Sequence, residues 1–376
     1  MKLRHQDYYE WYIQSCNRCK TCIVGEEGDG DICPSVDLYK MFNFSGGGKS
    51  HIALAAIENR IRNWEDIEKS LYSCTFCGAC YAACPVTIDL YNLIIDLREV
   101  LYDKGRTPPK LKKLGENLLS KDNPYGRKKK FIPPEGVKIY PSEKGKTLFF
   151  TGCQARMYEE ASSSAKAALE ILLEAGTDVM IMKDEPCCGS PVLEAGDYKS
   201  FTKNARKVIK EILSTGAEEM VIHCPHGYST FLLSYELPDN FPEIYLFADY
   251  VKKLLDEGKL RFKNPEIRYT FQDPCRISHY MDESDTYYEL FEKIDGKSLV
   301  KNTLSGKKSY CCGNPFLTPY TDRKLYEFTR EKRLNQLSES AEIIVTACPG
   351  CQFSLKEGGA EVIDLPVLLK NLIQGG

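Results

Sequence analysis

Cys275, the Cys311-Cys312-Gly313 pair and the Cys348-Pro349-Gly350-Cys351 turn put five thiols on short segments late in the chain. Thiolates are metal ligands, and structural zinc closes its tetrahedron at four of them. A fifth points to a group larger than one ion. An earlier stretch has the same layout, with Cys153, then Cys187-Cys188-Gly189, then Cys224. The offsets from Cys187 to Cys311, Cys188 to Cys312 and Cys224 to Cys348 are each 124 residues, which marks an internal duplication. Gly227 stands where the repeat places Cys351, so the first set stops at four.

Two further runs lie nearer the start. Cys16, Cys19 and Cys22 are followed, after the inserted segment GEEGDGD, by Cys33-Pro34; Cys74, Cys77, Cys80 and Cys84-Pro85 form an uninterrupted C-x2-C-x2-C-x3-C-P run. That spacing wraps a [4Fe–4S] cube, and in paired runs the fourth cysteine serves the other cluster. Cys16, Cys19, Cys22 and Cys84 are therefore assigned to one cluster, and Cys74, Cys77, Cys80 and Cys33 to the other. Ser45-Gly46-Gly47-Gly48-Lys49-Ser50 invites a phosphate-loop reading, but Asn43 stands where that motif needs glycine and no strand precedes it. It is read as a flexible loop.

The elements that must position these thiols change along the chain. Ile57, Ile61, Trp64, Ile67 and Leu71, then Leu90, Leu93, Ile94, Leu97 and Leu101, recur at helical spacing around the first two runs. From Asp103 to Lys146 the composition turns basic and proline-rich, with Pro108-Pro109, Arg127-Lys128-Lys129-Lys130 and Pro133-Pro134, and reads as an extended solvated linker. Beyond it strands alternate with helices: 147–152 and 179–182 as strands around a helix over 158–175, then strands at 267–271 and 343–345, with helices over 286–294 and 325–337. This alternation predicts α/β units on parallel sheets. Each cysteine then sits just past a strand's C-terminal end or in a cysteine pair, where open sheets place ligands, on sites facing outward from the cores.

The 376 residues suffice for two or three domains, and a net charge of −3 favours neither nucleic acid nor an anionic membrane surface. No uncharged apolar run approaches the roughly 18 residues of a membrane span, and MKLRHQDYYEWYIQS lacks the apolar core of a signal peptide. Seventeen cysteines in tight clusters of a large chain indicate metal ligation in a reducing, cytoplasmic setting.

The paired quartets with a connecting helix resemble the α-helical ferredoxin module of succinate dehydrogenase and heterodisulfide reductase subunits. The C-x(n)-CCG-x(n)-C-x-x-C pattern is similar to the CCG domains of heterodisulfide reductase. Their order resembles its D subunit and the iron–sulfur subunits of glycolate, lactate and glycerol-3-phosphate dehydrogenases. The resemblance implies an α+β multidomain fold: a helical module with two [4Fe–4S] clusters over 1–103, a linker over 104–146, an incomplete CCG repeat over 147–262 and a complete one over 263–376. It implies a non-cubane [4Fe–4S] cluster on Cys275, Cys311, Cys312, Cys348 and Cys351, where a small disulfide is reduced to two thiols by electrons from the ferredoxin clusters. Cys153, Cys187, Cys188 and Cys224 leave open a further cluster in the first repeat. The chain shows no flavin or haem motif, so a flavoprotein or a membrane cytochrome b-type subunit is expected as donor or acceptor, with any membrane association peripheral through that partner. The alternative is an electron-transfer subunit passing electrons from a flavin-linked dehydrogenase toward quinone.

Three polar residues complete the candidates. His226 is read as a solvent-facing loop histidine, with a ligand role at the first repeat as the alternative. Asp273-Pro274 reads as a helix N-cap and its first residue rather than a proton donor. His279, one turn beyond Cys275, is placed to reach the site as a proton donor.

Overall fold

The computed structural model describes residues 3–7, 13–26, 28, 30, 32–126, 130–295 and 297–374. Up to Lys121 its regular elements are helices: α1 (Pro34–Tyr39), α2 (Gly46–Ile57), α3 (Glu65–Tyr72), α4 (Leu90–Asp103) and α5 (Pro109–Lys121) are the longer ones. The apolar series around Trp64 does not run through one helix. α2 ends at Ile57 and α3 starts at Glu65, with Asn59 in the left-handed region (φ 56) between them. Two of these helices carry local instructions at their starts. Ser45 Oγ accepts from Gly48 N at 2.9 Å, and Asp89 accepts from Asn92 N at 3.0 Å.

Two stretches depart from the sequence reading. The Ser45–Ser50 segment is not a loop but the capped start of α2, with Gly46 through Ser50 all buried. The expected linker contains α5, whose Pro109 occupies the first turn and whose Leu111, Leu114 and Leu118 are buried. The helix packs on α7 (Ser190–Ala195) and α8 (Tyr198–Thr215). The same stretch supplies β1 (Lys138–Tyr140) to the first sheet, while Arg127 to Lys129 lie outside the described residues.

That sheet is parallel, in the order β1-β3-β2-β4-β5, with β2 (Thr147–Phe150), β3 (Val179–Met182), β4 (Glu219–Ile222) and β5 (Glu243–Leu246). The second is β6-β7-β8, from β6 (Tyr269–Gln272), β7 (Ile343–Thr346) and β8 (Glu361–Asp364), also parallel. The duplication is visible in register: Phe150 pairs with Ile222, and Gln272 with Thr346. The counterpart of β3 survives as one parallel bridge from Tyr269 to Leu299. β2, β3 and β6 are buried at every residue, as sheets covered on both faces require.

One apolar core joins the three parts. It runs from Phe76, Leu93 and Leu97 of the helical region through Ile181 and Leu193 to Ile277 and Leu369. α6 (Glu159–Glu174), which follows β2, packs along α14 (Leu365–Leu372), which follows β8, so the two repeats share a helical layer.

Candidate metal centre

Each cysteine-cysteine-glycine turn is built the same way. Gly189 (φ 81) and Gly313 (φ 104) adopt backbone conformations open mainly to glycine, and a side chain at 313 would also meet the Tyr326 ring at 2.9 Å. That bend turns the glycine amide onto the first sulfur of the pair, Gly189 N to Cys187 Sγ at 3.4 Å and Gly313 N to Cys311 Sγ at 3.3 Å.

In the second repeat Cys275 follows β6, Cys348 follows β7, and Cys351 lies in the first turn of α13 (Pro349–Glu357). Their thiols form one connected set. Cys275 and Cys312 both hydrogen-bond Cys311, and Cys351 bonds both Cys348 and Cys312, the last at 3.2 Å. Bonds from Cys311 and Cys351 hold the Cys312 thiol well below its usual range. Cys351, then His226, pull Cys348 down to about 6 despite its burial. Their neighbours Cys311 and Cys351 are raised by the same hydrogen bonds. These shifts favour the thiolate form of Cys312 and Cys348, the form in which cysteine binds metal.

In the first repeat Cys187 hydrogen-bonds both Cys153 and Cys188. Cys224 is raised by burial and by the nearby charges of Cys348 and Cys188, so it stands between the two sets. The fifth position is Gly227, where an added Cβ would find only ordinary contacts at 3.5 Å and beyond. The set has four thiols with room for a fifth.

Neither set faces outward. All five second-repeat cysteines are buried, as are Cys187 and Cys188 of the first, with Cys153 and Cys224 half-buried. Two small cavities, about 10 and 40 Å³, lie against the second and first sets and share His226, Asn314 and Gly350 in their walls. Arg276 and Glu194, each at most 2% exposed, form an ion pair across the repeat boundary beside them. Asn314 Nδ2 reaches from the second repeat to the Thr75 carbonyl at 3.1 Å.

Cys16, Cys19, Cys22 and Cys84 line one small cavity together with Gly47 and Leu90, Cys19 being exposed. Cys33, Cys74, Cys77 and Cys80 form the other neighbourhood, in which burial and the nearby thiolate charges push Cys80 far up and burial takes Cys33 to about 12. Among the described residues no three His, Cys, Asp or Glu side chains converge on a point for a single ion. A larger group suits the backbone around the quartets. A Cβ at Gly46 would lie 2.8 Å from Cys80 Cβ and 3.2 Å from its sulfur, and one at Gly47 3.5 Å from Cys22 Sγ, so bare glycine keeps the space beside both sets of sulfurs open. Four thiols per quartet match the donor set of a sulfur-ligated iron cluster, and the second repeat offers five.

The polar residues depart from the sequence reading. His226 lies on α9 (Pro225–Ser234), not on an exposed loop, and its ring bonds Cys348 of the opposite repeat. Asp273 caps no helix. Its buried carboxylate accepts from Tyr288 Oη at 2.9 and 3.0 Å, and burial raises it to about 6. His279 is held by other partners: Nδ1 donates to the Cys77 carbonyl at 2.7 Å, Nε2 accepts from Ser309 Oγ at 3.4 Å, and burial lowers its pKa. Sequence reasoning passed over His223, whose Nε2 meets Asp364 at 2.8 Å and ties β4 to β8.

Comparison with known proteins fits this arrangement. Residues 12–88 match the 4Fe-4S dicluster domain, and residues 147–231 and 269–356 the cysteine-rich CCG domain. An uncharacterised iron–sulfur protein of Methanococcus maripaludis is 24% identical over 95% of this chain and 71% of its own length. The D subunit of the dihydromethanophenazine:CoB–CoM heterodisulfide reductase of Methanosarcina barkeri is 24% identical over 96% and 92%. The EtfAB:quinone oxidoreductase of Syntrophomonas wolfei is 23% identical over 77% of this chain, which spans only 43% of it. In fold, the chain resembles the crystal structure of a hypothetical protein from Helicobacter pylori, with a TM-score of 0.52 and 14% identity over 97% of this chain and 72% of that one. No helix among the described residues is long and apolar enough to cross a membrane.

Proposed function

We propose that this chain, which carries a 4Fe-4S dicluster domain and two cysteine-rich CCG domains and is similar to heterodisulfide reductase D subunits, is a subunit that carries electrons inward to its second repeat and there reduces a small disulfide. Cys16, Cys19, Cys22 and Cys84 would hold one [4Fe–4S] cluster, Cys33, Cys74, Cys77 and Cys80 another, and the five thiols of the second repeat a non-cubane one. Bound there, such clusters supply one-electron steps and an iron open to a substrate sulfur. The observation that carries the reading is the contact between the Cys77 and Cys311 thiols, which puts the second quartet against the five-thiol set. Exposed Cys19 gives the first quartet a surface end, where a flavoprotein or cytochrome b-type partner would exchange electrons.

The overall change takes two electrons and two protons per disulfide and yields two thiols. Asp273, buried two residues before Cys275 with its carboxyl raised to about 6, can exchange a proton near neutral pH and is the proposed source. His226 keeps the Cys348 sulfur oriented through their hydrogen bond. The first repeat, with four thiols, would hold a cluster of different type or serve as a wall.

One observation favours a second reading, a relay subunit that passes electrons on toward quinone. The first repeat stops at four thiols, with Gly227 in place of the fifth, so the chain has one complete five-cysteine set rather than two. Thiols titrated into the oxidised, anaerobically purified protein discriminate between the two. Under the reductase reading a product thiol gives a new paramagnetic signal that broadens with isotopically labelled sulfur and is missing in Cys351→Ser. No signal from any thiol, coenzyme M and coenzyme B included, selects the relay.

A further inference from the structure

The Ser45–Ser50 segment has no part in the function above, yet it is wedged between the two quartets. Gly47 N–H points at Cys22 Sγ from 3.3 Å, and Gly46 passes against Cys80 so closely that a methyl group would not fit. One turn later the Lys49 side chain enters the interior, 2% exposed. Its ammonium donates to the Phe44 carbonyl oxygen, and the same oxygen lies 3.9 Å from Cys33 Sγ. Lys49 is therefore a near neighbour of the Cys33 sulfur, and its charge acts on both Cys33 and Cys80. Among the ion pairs of the described residues none gives Lys49 a carboxylate. An isolated ammonium out of water is strongly disfavoured, and one carbonyl does not neutralise it. The groups beside it that can carry an offsetting negative charge are the thiolates of Cys33 and Cys80.

We propose that Lys49 is the fixed counter-charge of the group held by Cys33, Cys74, Cys77 and Cys80, making that cluster the more easily reduced of the dicluster pair. The inference rests on the assignment of a [4Fe–4S] cluster to each quartet. Among the described residues the quartet around Cys16 has no buried cation of this kind: Arg18 beside it bonds His51 at 3.1 Å, at the surface where its field is screened. An electron entering at the exposed Cys19 end therefore runs downhill to the quartet that touches Cys311 and waits there for the second. In that step one cluster would be oxidised by one electron and the other reduced by one. Charge and hydrogen bonding near the sulfurs are among the levers that set cluster potential.

The test is a redox titration of the anaerobic, cluster-loaded protein followed by electron paramagnetic resonance, comparing wild type with Lys49→Met and Lys49→Arg. Lys49→Met should make one of the two cubane signals harder to reduce by at least tenfold in its equilibrium, about 59 mV for one electron, leaving the other unmoved; Lys49→Arg should stay near wild type. Should Lys49→Met fail to assemble that cluster while Lys49→Arg assembles it at the native potential, the charge is required and the proposal stands. Unchanged potentials in Lys49→Met overturn it, and so does loss of the cluster in both variants, which would mean that shape rather than charge matters. Wild-type protein without two cubane clusters would instead defeat the functional reading on which the inference rests.

Discussion

The thiol of Cys77, from the dicluster region, and the thiol of Cys311, from the second cysteine pair, are hydrogen-bond partners. Around this contact Cys77, Ala79, Cys275 and Cys311 form a buried apolar cluster of their own. Two metal groups held by these residues would be neighbours with no intervening side chain. Fully reduced protein should accordingly show spin–spin splitting in its paramagnetic resonance spectrum, and Cys311→Ser should remove the splitting while a plain cubane signal remains. Independent, unsplit signals in the wild type would disprove the adjacency.

Iron content follows from the thiol sets. Anaerobically purified protein should hold about twelve irons per chain if only the second repeat adds to the dicluster pair, and about sixteen if the first repeat is loaded as well. Cys351→Ser should lower the figure by about four and leave both quartets in place, since the thiols Cys351 bonds, Cys312 and Cys348, belong to its own set. A count near eight in the wild type would remove the second-repeat cluster.

The Arg276–Glu194 pair joins the repeats in a buried site where the Arg276 guanidinium lies over the Tyr280 and Tyr91 rings, 5.1 and 5.5 Å from their centres. Breaking a buried pair from one side leaves an uncompensated charge, so Glu194→Gln should cost about 3–5 kcal/mol in anaerobic urea unfolding. Adding Arg276→Met to it should restore much of the loss. Equal destabilisation by the single and double variants would show that packing, not charge, governs this boundary.

Asp273 sets a pH dependence. Its carboxyl is raised by burial from near 3.8 to about 6, so between those values the folded chain binds more of its proton than the unfolded chain does. The stability it contributes is present below the lower value and lost as pH rises through the upper one, at about 1–3 kcal/mol. Asp273→Asn, whose amide oxygen can still accept from Tyr288, should therefore be the more stable protein above pH 6 and flatten the profile below. A wild-type profile that rises across that window would contradict the assignment.

Much of the site is legible in the sequence because sulfur spacing is a local property. The 124-residue offset exposes the duplication, and strands at 147–150 and 343–346 lie where alternation of apolar runs puts them. What escapes is decided at long range. Three successive glycines are poor helix formers, yet Gly46 to Gly48 start α2 because a side chain at 46 or 48 would collide with Cys80 or with the Phe42 and Asn43 backbone. Leu111, Leu114 and Leu118 do carry helical spacing, but the lysines around them and the Pro108-Pro109 pair look like a linker until Pro109 is seen to open the helix. The partner of His226 could not be found by spacing at all, since its own repeat lacks the fifth cysteine and the ring turns to Cys348 of the other.

Interlocking of the parts also bears on how the protein is made. α1 is tied to the second repeat by Tyr310 Oη and Lys332 Nζ, both bonded to Asp37, and by Tyr39, bonded to Asp322, which also holds Ser73 at the end of α3. Once these bonds close, Cys33, Cys77, Cys275 and Cys311 are sealed at 9% exposure or less. Iron and sulfide must then be delivered while the helical region and the second repeat still stand apart, so maturation has a time window that docking ends. Refolding the apoprotein with iron and sulfide present should load it in full, whereas adding them after refolding should fill the quartet that includes exposed Cys19 well before the buried sets. Equal loading by both routes would mean that the closed interface opens readily.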